Sequence, residues 1–257
     1  MKTRKLNSVV AAACALVLAS ASGVAAAQAA PERRPAEAPT AMPSGQEGAA
    51  VRHIADAATV VQRMRAEPRM RELLQQAKGI FVVPRYGHAA LGVGASGGTG
   101  VLAIKRADGA WSDAVFYNIG GISAGAQIGA EAGPIALVLN NEKAVTKFLQ
   151  KNQFSLNAAA GLTFINWSKV AQGAVGEGDV VLWAGTKGLY GNLVAVGVNG
   201  IRYSQSLTEA YYHQRVTVPD ILAGKHSNPH SEILRQALAG SPATVPLSPA
   251  PPPPASY

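Results

Sequence analysis

The sequence predicts an α+β fold: an antiparallel, strongly curved β-sheet with flanking helices. Three observations predict it. Residues 51–78 and the stretches after Asn140 and Leu207 carry apolar side chains at helical spacing. Between them, short β-branched runs are separated by tight-turn signals, which join strands as antiparallel neighbours. Glycines are spread through the β-type segments, where they allow bends and close backbone approach. Whether the sheet closes into a barrel is open at this level.

The chain begins with a basic Met1–Lys5 segment and an apolar Val9–Ala19 run, followed by A-x-A sites near Ala25–Ala29. This layout is that of a secretory signal peptide over residues 1–29, too short in its apolar part for a transmembrane span. Acylation of Cys14, the single cysteine, is the less favoured alternative. A mature chain without cysteine has no disulfide, thiolate nucleophile or thiolate metal site. The expected location is the periplasm or envelope of a bacterium. Residues 30–49 read as a Pro/Ala-rich linker, residues 50–239 as the folded domain, and residues 240–257 as an extended Pro-rich tail.

Within the domain, Val51, Ile54, Ala58 and Val61 form one helical stripe, and Pro68 and Gly79 bracket a second helix. IFVV (80–83) is a short strand stopped by Pro84, with a turn expected at Gly97-Gly98. Asp108-Gly109 is a hairpin signal between TGVLAIKR and WSDAVFYNIGG. Asn140 or Asn141 caps a helix through EKAVTKFLQ. FSLNAAAGLTFI, DVVLWAGT and LVAVGVNG add strands, with a hairpin turn at Asn199-Gly200. Ser206–Glu209 has the form of a capping box, Thr217 opens a short helix, and Asn228-Pro229 opens the last one.

Gly92, Gly94 and Gly97 match the dinucleotide spacing G-x-G-x-x-G. That motif works only where a strand leads into a helix whose N-terminus holds the pyrophosphate. Here the glycines run into TGVLAIKR and a hairpin, so nucleotide binding is excluded on context. His226 and His230 have a metal-binding interval, but Asn228-Pro229 separates them. No serine lies in a nucleophile elbow, and the carboxylates fall mostly at turns and helix starts. The residues therefore point to no catalytic group, metal or cofactor, although a triad assembled in space would escape a reading of this kind. Basic and aromatic residues are too sparsely interleaved for nucleic acid.

One set of segments is specific in its order: Ala77–Ile80 with Pro84, Gly92–Leu102, Trp111-Ser112, Gly120-Gly121, Gln127–Gly129, Leu139–Lys143, Lys187–Gly191, Ala210–Tyr212 and Asp220–Gly224. Across about residues 60–224 the chain resembles the SYLF domain family of lipid-binding proteins, whose yeast members are also known as actin-binding regulators. It departs from that pattern at His213, where the family commonly has Gly, and over residues 156–179. The resemblance implies non-enzymatic binding of anionic phospholipids, with an amphipathic helix contributing.

The formal net charge of +8 favours anionic partners, and an exported protein meets lipid and cell wall first. The candidate lipid-binding residues are Arg63, Arg65, Arg69, Arg71 and Lys78 on the two N-terminal helices, with Arg85 and Lys187 at loop rims. His53, if protonated, and Arg52 would add to them. The alternative is an envelope module that binds a protein or cell-wall partner.

Overall fold

The computed structural model describes residues 45–150, 153–156, 161–173, 178–186, 189 and 198–241. The expected signal segment, Cys14, most of the expected linker, Lys187, Tyr190 and the tail from residue 242 lie outside the described residues. All described residues belong to the compact unit 42–257.

Helix α1 (Gly45–Arg65) starts within the Pro/Ala-rich stretch and presents Ile54, Ala57, Ala58, Val61 and Met64 to the core. Helix α2 (Pro68–Gln76) follows with proline in its first turn and buries Met70 and Leu74. Two long strands come next, β1 (Gly79–Ile104) and β2 (Val115–Leu139), paired antiparallel from Gly79↔Leu139 to Leu102↔Val115. They are joined where the sequence placed a hairpin. Gly109 has φ 81°, its N–H donates to the Arg106 carbonyl at 2.9 Å, and the Asp108 carboxylate accepts from the Ala110 N–H at 2.9 Å.

Two expected interruptions are absent. β1 passes through Pro84, where a bulge between Val83 and Tyr86 absorbs the missing donor. It also passes through Gly97-Gly98, which pair with Gly120 and Ile119 in an unbroken ladder. The glycines bend the strand instead of turning it. A Cβ on Gly98 would lie 2.6 Å from the Arg85 carbonyl oxygen, and one on Gly100 would lie 2.5 Å from Phe81 Cε2. The second half of β1 thus curls back over its own beginning, and the Lys105 N–H reaches the Lys78 carbonyl at 2.8 Å. The sheet is strongly curved, as the turn-rich sequence indicated.

The remaining elements are α3 (Glu142–Gln150), β3 (Gln153–Leu156), β4 (Phe164–Asn166), α4 (Trp167–Ala171), β5 (Val180–Ala184), β6 (Val198–Tyr203), α5 (Gln205–Tyr212), α6 (Val218–Leu222), a 3₁₀ turn (Pro229–Ser231) and α7 (Glu232–Ala239). The sheet order is β3-β6-β2-β5-β4, with β1 on β2. All pairings are antiparallel except β4 with β5. Asn199-Gly200 lies inside β6, with Gly200 at φ 64°, so the hairpin expected there is corrected to a strand. Ser204, two residues before the expected capping box, is the N-cap of α5.

The core is apolar and aromatic. Phe81, Tyr117, Phe148 and Phe154 stack edge to face or tilted, with centroids 4.8–6.1 Å apart. Several motif residues serve the fold. Asn141 caps α3 through the Ala144 N–H and donates to Asp179 at 2.7 Å. Asp179 also accepts from the Thr163 N–H and hydroxyl, and these bonds hold its carboxyl far below the ordinary range. Tyr211 meets Ser231 at 2.8 Å, and Tyr212 donates to the Ala114 carbonyl at 2.9 Å. Asp113, buried, pairs with Arg235 at 2.9 Å, which ties α7 to the start of β2.

Candidate binding face of the long hairpin

Three of the expected basic residues, Arg65, Arg69 and Arg71, donate to backbone carbonyls. Arg65 is half-buried and donates to the Leu238 carbonyl at 3.0 Å, closing the C-terminal end of α7. Arg69 donates to the Ala171 and Val170 carbonyls at the end of α4, at 2.8 and 3.3 Å. Arg71 donates to the Arg65 carbonyl at 3.3 Å. Unsatisfied carbonyls at a helix end attract guanidinium groups, so these three arginines are occupied in joining helices. Arg63 and Lys78 are exposed. Arg85 is exposed and paired with Asp56 at 2.7 Å. Burial pushes His53 below its ordinary value despite Asp56, so it adds no charge at neutral pH. The stripe Ile54, Ala58, Val61 and Leu74 is core.

What the sequence reading missed lies in the middle of the hairpin. Strand side chains alternate between two faces. From Arg85 to Ala95, the odd-numbered positions of β1 look outward. They read Arg85, Gly87, Ala89, Leu91, Val93 and Ala95, all exposed except the half-buried Gly87. Ile122, Ala130 and Ala132, directly opposite Ala95, Ala89 and Gly87, are exposed on the same face. Leu91, Val93 and Ile122 show 79, 65 and 84 % of their surface. The inward positions carry His88, Ser96 and Glu131. A half-solvated antiparallel sheet normally alternates apolar inward and polar outward. Here the order is inverted over the bend, and a run of aliphatic side chains meets water. The signal was present in HAALGVGAS and GGISAGAQIGAEA, where aliphatic residues alternate with small and polar ones, but without the curl it does not say which set faces out.

At the bend lies a groove of about 490 Å³, bounded by residues 87–89, 95–97 and 130–132, so that the outward Ala89, Ala95, Ala130 and Ala132 border it together with the inward His88, Ser96 and Glu131. His88 and Glu131 are direct cross-strand partners on its wall, with Ser96 on the other limb. An imidazole, a carboxylate and a hydroxyl in one groove invite a hydrolase reading. Ser96, however, occupies an ordinary ladder position opposite Gly121, and His213 is the one non-glycine residue with positive φ among the described residues. Nothing presents Ser96 as a nucleophile does at a strained elbow. The arrangement is suited to binding.

A second groove, about 500 Å³, surrounds Trp111 with Lys105, Arg106 and Arg235. Lys105 stands 5.2 Å over the indole and donates to the Gln75 carbonyl, Arg106 pairs with Asp108, and Arg235 pairs with Asp113 and Glu232. Its cations are engaged within the protein. Among the described residues, no group of three His, Cys, Asp or Glu side chains is placed to hold a metal ion. None of the described helices is long and apolar enough to cross a membrane.

Residues 120–241 match the family model described as Ysc84, Las17-binding protein actin regulator. The human SH3 domain-containing YSC84-like protein 1 is 27 % identical over 168 residues, which cover 61 % of this chain and 46 % of that protein. Protein YSC84 of Saccharomyces cerevisiae is 25 % identical over 158 residues, covering 60 % and 33 %. LAS seventeen-binding protein 3 from the same species is 24 % identical over 159 residues, covering 60 % and 34 %. The match spans less than half the length of each of these relatives. No solved structure matches the chain. With the segments from Gly120-Gly121 to Asp220–Gly224 falling inside the matched region and the curved α+β fold around them, residues 120–241 carry the likeness of this chain to the SYLF family of Ysc84-like proteins.

Proposed function

We propose that this protein is a non-enzymatic lipid-binding module that docks on anionic phospholipid membranes at the bacterial envelope, through the outer face of the hairpin bend. The observation that carries the reading is the exposure of Leu91, Val93 and Ile122 among alanines on one uncharged stretch. Contiguous exposed apolar surface on a soluble fold marks a binding surface. Taking such a side chain fully out of water is worth about 1.5–3 kcal/mol. Arg85, on the same face and paired with Asp56, and a net positive charge, +8 over the full sequence and +5 without Lys2, Arg4 and Lys5 of the expected signal segment, supply attraction to anionic head groups.

The composition of the face favours lipid over protein. Protein interfaces draw their energy from Trp, Tyr and Arg anchors, whereas this surface is Ala, Leu, Val and Ile apart from Arg85, which pairs with Asp56. The hairpin also keeps to the interface, because β1 pairs with β2 alone among the described strands and an open edge is not tolerated in hydrocarbon. Export through the N-terminal signal would bring the protein to such a surface. The second reading is a protein partner on the same face. It is favoured by the names of the relatives, which describe Las17 binding and actin regulation.

Co-sedimentation with neutral and anionic vesicles at low and high salt tests the proposal. Wild type is expected in the pellet with anionic vesicles, and the double variant Leu91→Asp/Ile122→Asp in the supernatant. Wild type that ignores every vesicle would refute the lipid reading and leave the protein partner.

A further inference from the structure

The groove at the bend is built from glycine and alanine walls with three polar side chains, His88, Ser96 and Glu131. Its charge is set by Glu131, since no lysine or arginine lines it among the described residues. One Glu131 oxygen, Oε2, is shielded from water and has no hydrogen-bond partner among the described residues. A sheltered acceptor without a donor is costly, on the order of 1–3 kcal/mol and more when charged. It is the kind of group that a ligand satisfies. The volume of about 490 Å³ falls in the range of small-molecule sites and exceeds what a bare ion needs. The same limbs of the hairpin carry the apolar outer face: Ala89 and Ala95 line the groove while Leu91 and Val93 lie between them in sequence.

These features point one way. The groove offers a negative acceptor in apolar surroundings, so it favours a cation that also donates hydrogen bonds. A bare phosphate is disfavoured there by the carboxylate. Resting on the membrane-docking reading above, we propose that the groove binds the primary ammonium group of a phospholipid headgroup, with the Glu131 carboxylate as its acceptor. Ser96 offers a hydroxyl to the same headgroup, and the His88 imidazole sits directly across the ladder from Glu131. The outer face would hold the protein at the bilayer, and the groove would select among the headgroups presented there. A quaternary ammonium has no N–H to give and fits less well; a glycerol headgroup has no positive charge.

The test uses the full chain and dihexanoyl lipids below their micelle-forming concentration, followed by calorimetry. The probes are dihexanoyl phosphatidylethanolamine, the choline and glycerol analogues, and free ethanolamine. The expected result is at least tenfold tighter binding of the ethanolamine lipid than of the choline or glycerol lipid, and at least tenfold weakening by Glu131→Gln. Free ethanolamine binding as tightly as the lipid would place the chemistry in a free amine and overturn the headgroup assignment. Equal binding of the three lipids, or an unchanged Glu131→Gln variant, would overturn the proposal altogether. Circular dichroism of Glu131→Gln guards against misfolding, and Ser96→Leu, which narrows the groove from the opposite limb, is expected to weaken binding in parallel. Vesicle sedimentation separates this from the docking reading: Glu131→Gln is expected to pellet with anionic vesicles like wild type, whereas Leu91→Asp/Ile122→Asp is not.

Discussion

The ends and the middle of the long hairpin are made from one continuous ladder, yet they live in different surroundings. At the ends, residues 80–83, 101–103 and 135–139 are buried on both faces, and α1 packs against β1. Their runs, IFVV, VLA and IALVL, are continuously apolar, as doubly covered strands are. In the middle, Leu91, Val93 and Ile122 of the outer face are bare. The outer residues there remain aliphatic although nothing among the described elements covers them. A segment whose only task was to connect two covered ends would carry polar side chains outward. The difference therefore separates residues that hold the fold from residues that the proposed docking would use.

That separation can be broken at its hinge. Gly100 lets the second half of β1 lie against Phe81 and Val83. Gly100→Val places a branched side chain where a Cβ alone is already too close. It should cost about 1–3 kcal/mol or more, seen as a lowered urea midpoint, and unchanged stability would mean the curl does not depend on that approach. Next comes Asp179, far from the bend. Asp179→Asn leaves the Thr163 donors poorly matched and should cost about 1–3 kcal/mol at neutral pH. Because the folded-state pKa is depressed, the carboxylate contributes stability above its unfolded value of about 3.9 and loses it as pH falls further. Wild type should weaken below about pH 4, and the variant should show a flatter acid limb.

Arg65→Gln sharpens the contrast from the other side. It removes the bond to the Leu238 carbonyl and should lower stability by about 1 kcal/mol, with vesicle binding within twofold of wild type. A tenfold loss of vesicle binding would return the site to the N-terminal helices. The smallest effect concerns His213, which ends α5 at φ 54°. Left-handed backbone suits glycine, which explains why glycine is expected after the tyrosine pair. His213→Gly should raise stability by less than about 1 kcal/mol, since the gain is partly offset by losing the contact of the exposed His213 with the half-buried Glu47 at 3.2 Å.

Local signals were legible before the fold was seen. Asp108-Gly109, Asn141, Thr217 and Asn228 act through neighbours two or three residues away, and each does what its spacing indicates. The curved antiparallel sheet was legible too, from turn chemistry and glycine density. What could not be read was long-range. Arg65 looks like surface charge until Leu238, 173 residues later, is placed beside it. Gly97-Gly98 has the composition of a turn, and only the matching ladder of Gly120 and Ile119 makes it a bend. The exposed aliphatic face was missed for the same reason. Alternation in a strand is visible in sequence, but which set of side chains faces solvent depends on how the two limbs of the hairpin curl.

The most direct measurement places a reporter on each competing surface. In a Cys14→Ser background, Ile122→Cys and Arg63→Cys would each carry an environment-sensitive fluorophore, and the proteins would be titrated with anionic vesicles. A blue shift and increased emission at position 122, with little change at position 63, is the result predicted here. A shift at position 63 with none at 122 would contradict the account, and would put membrane contact on helix α1 instead of the hairpin bend.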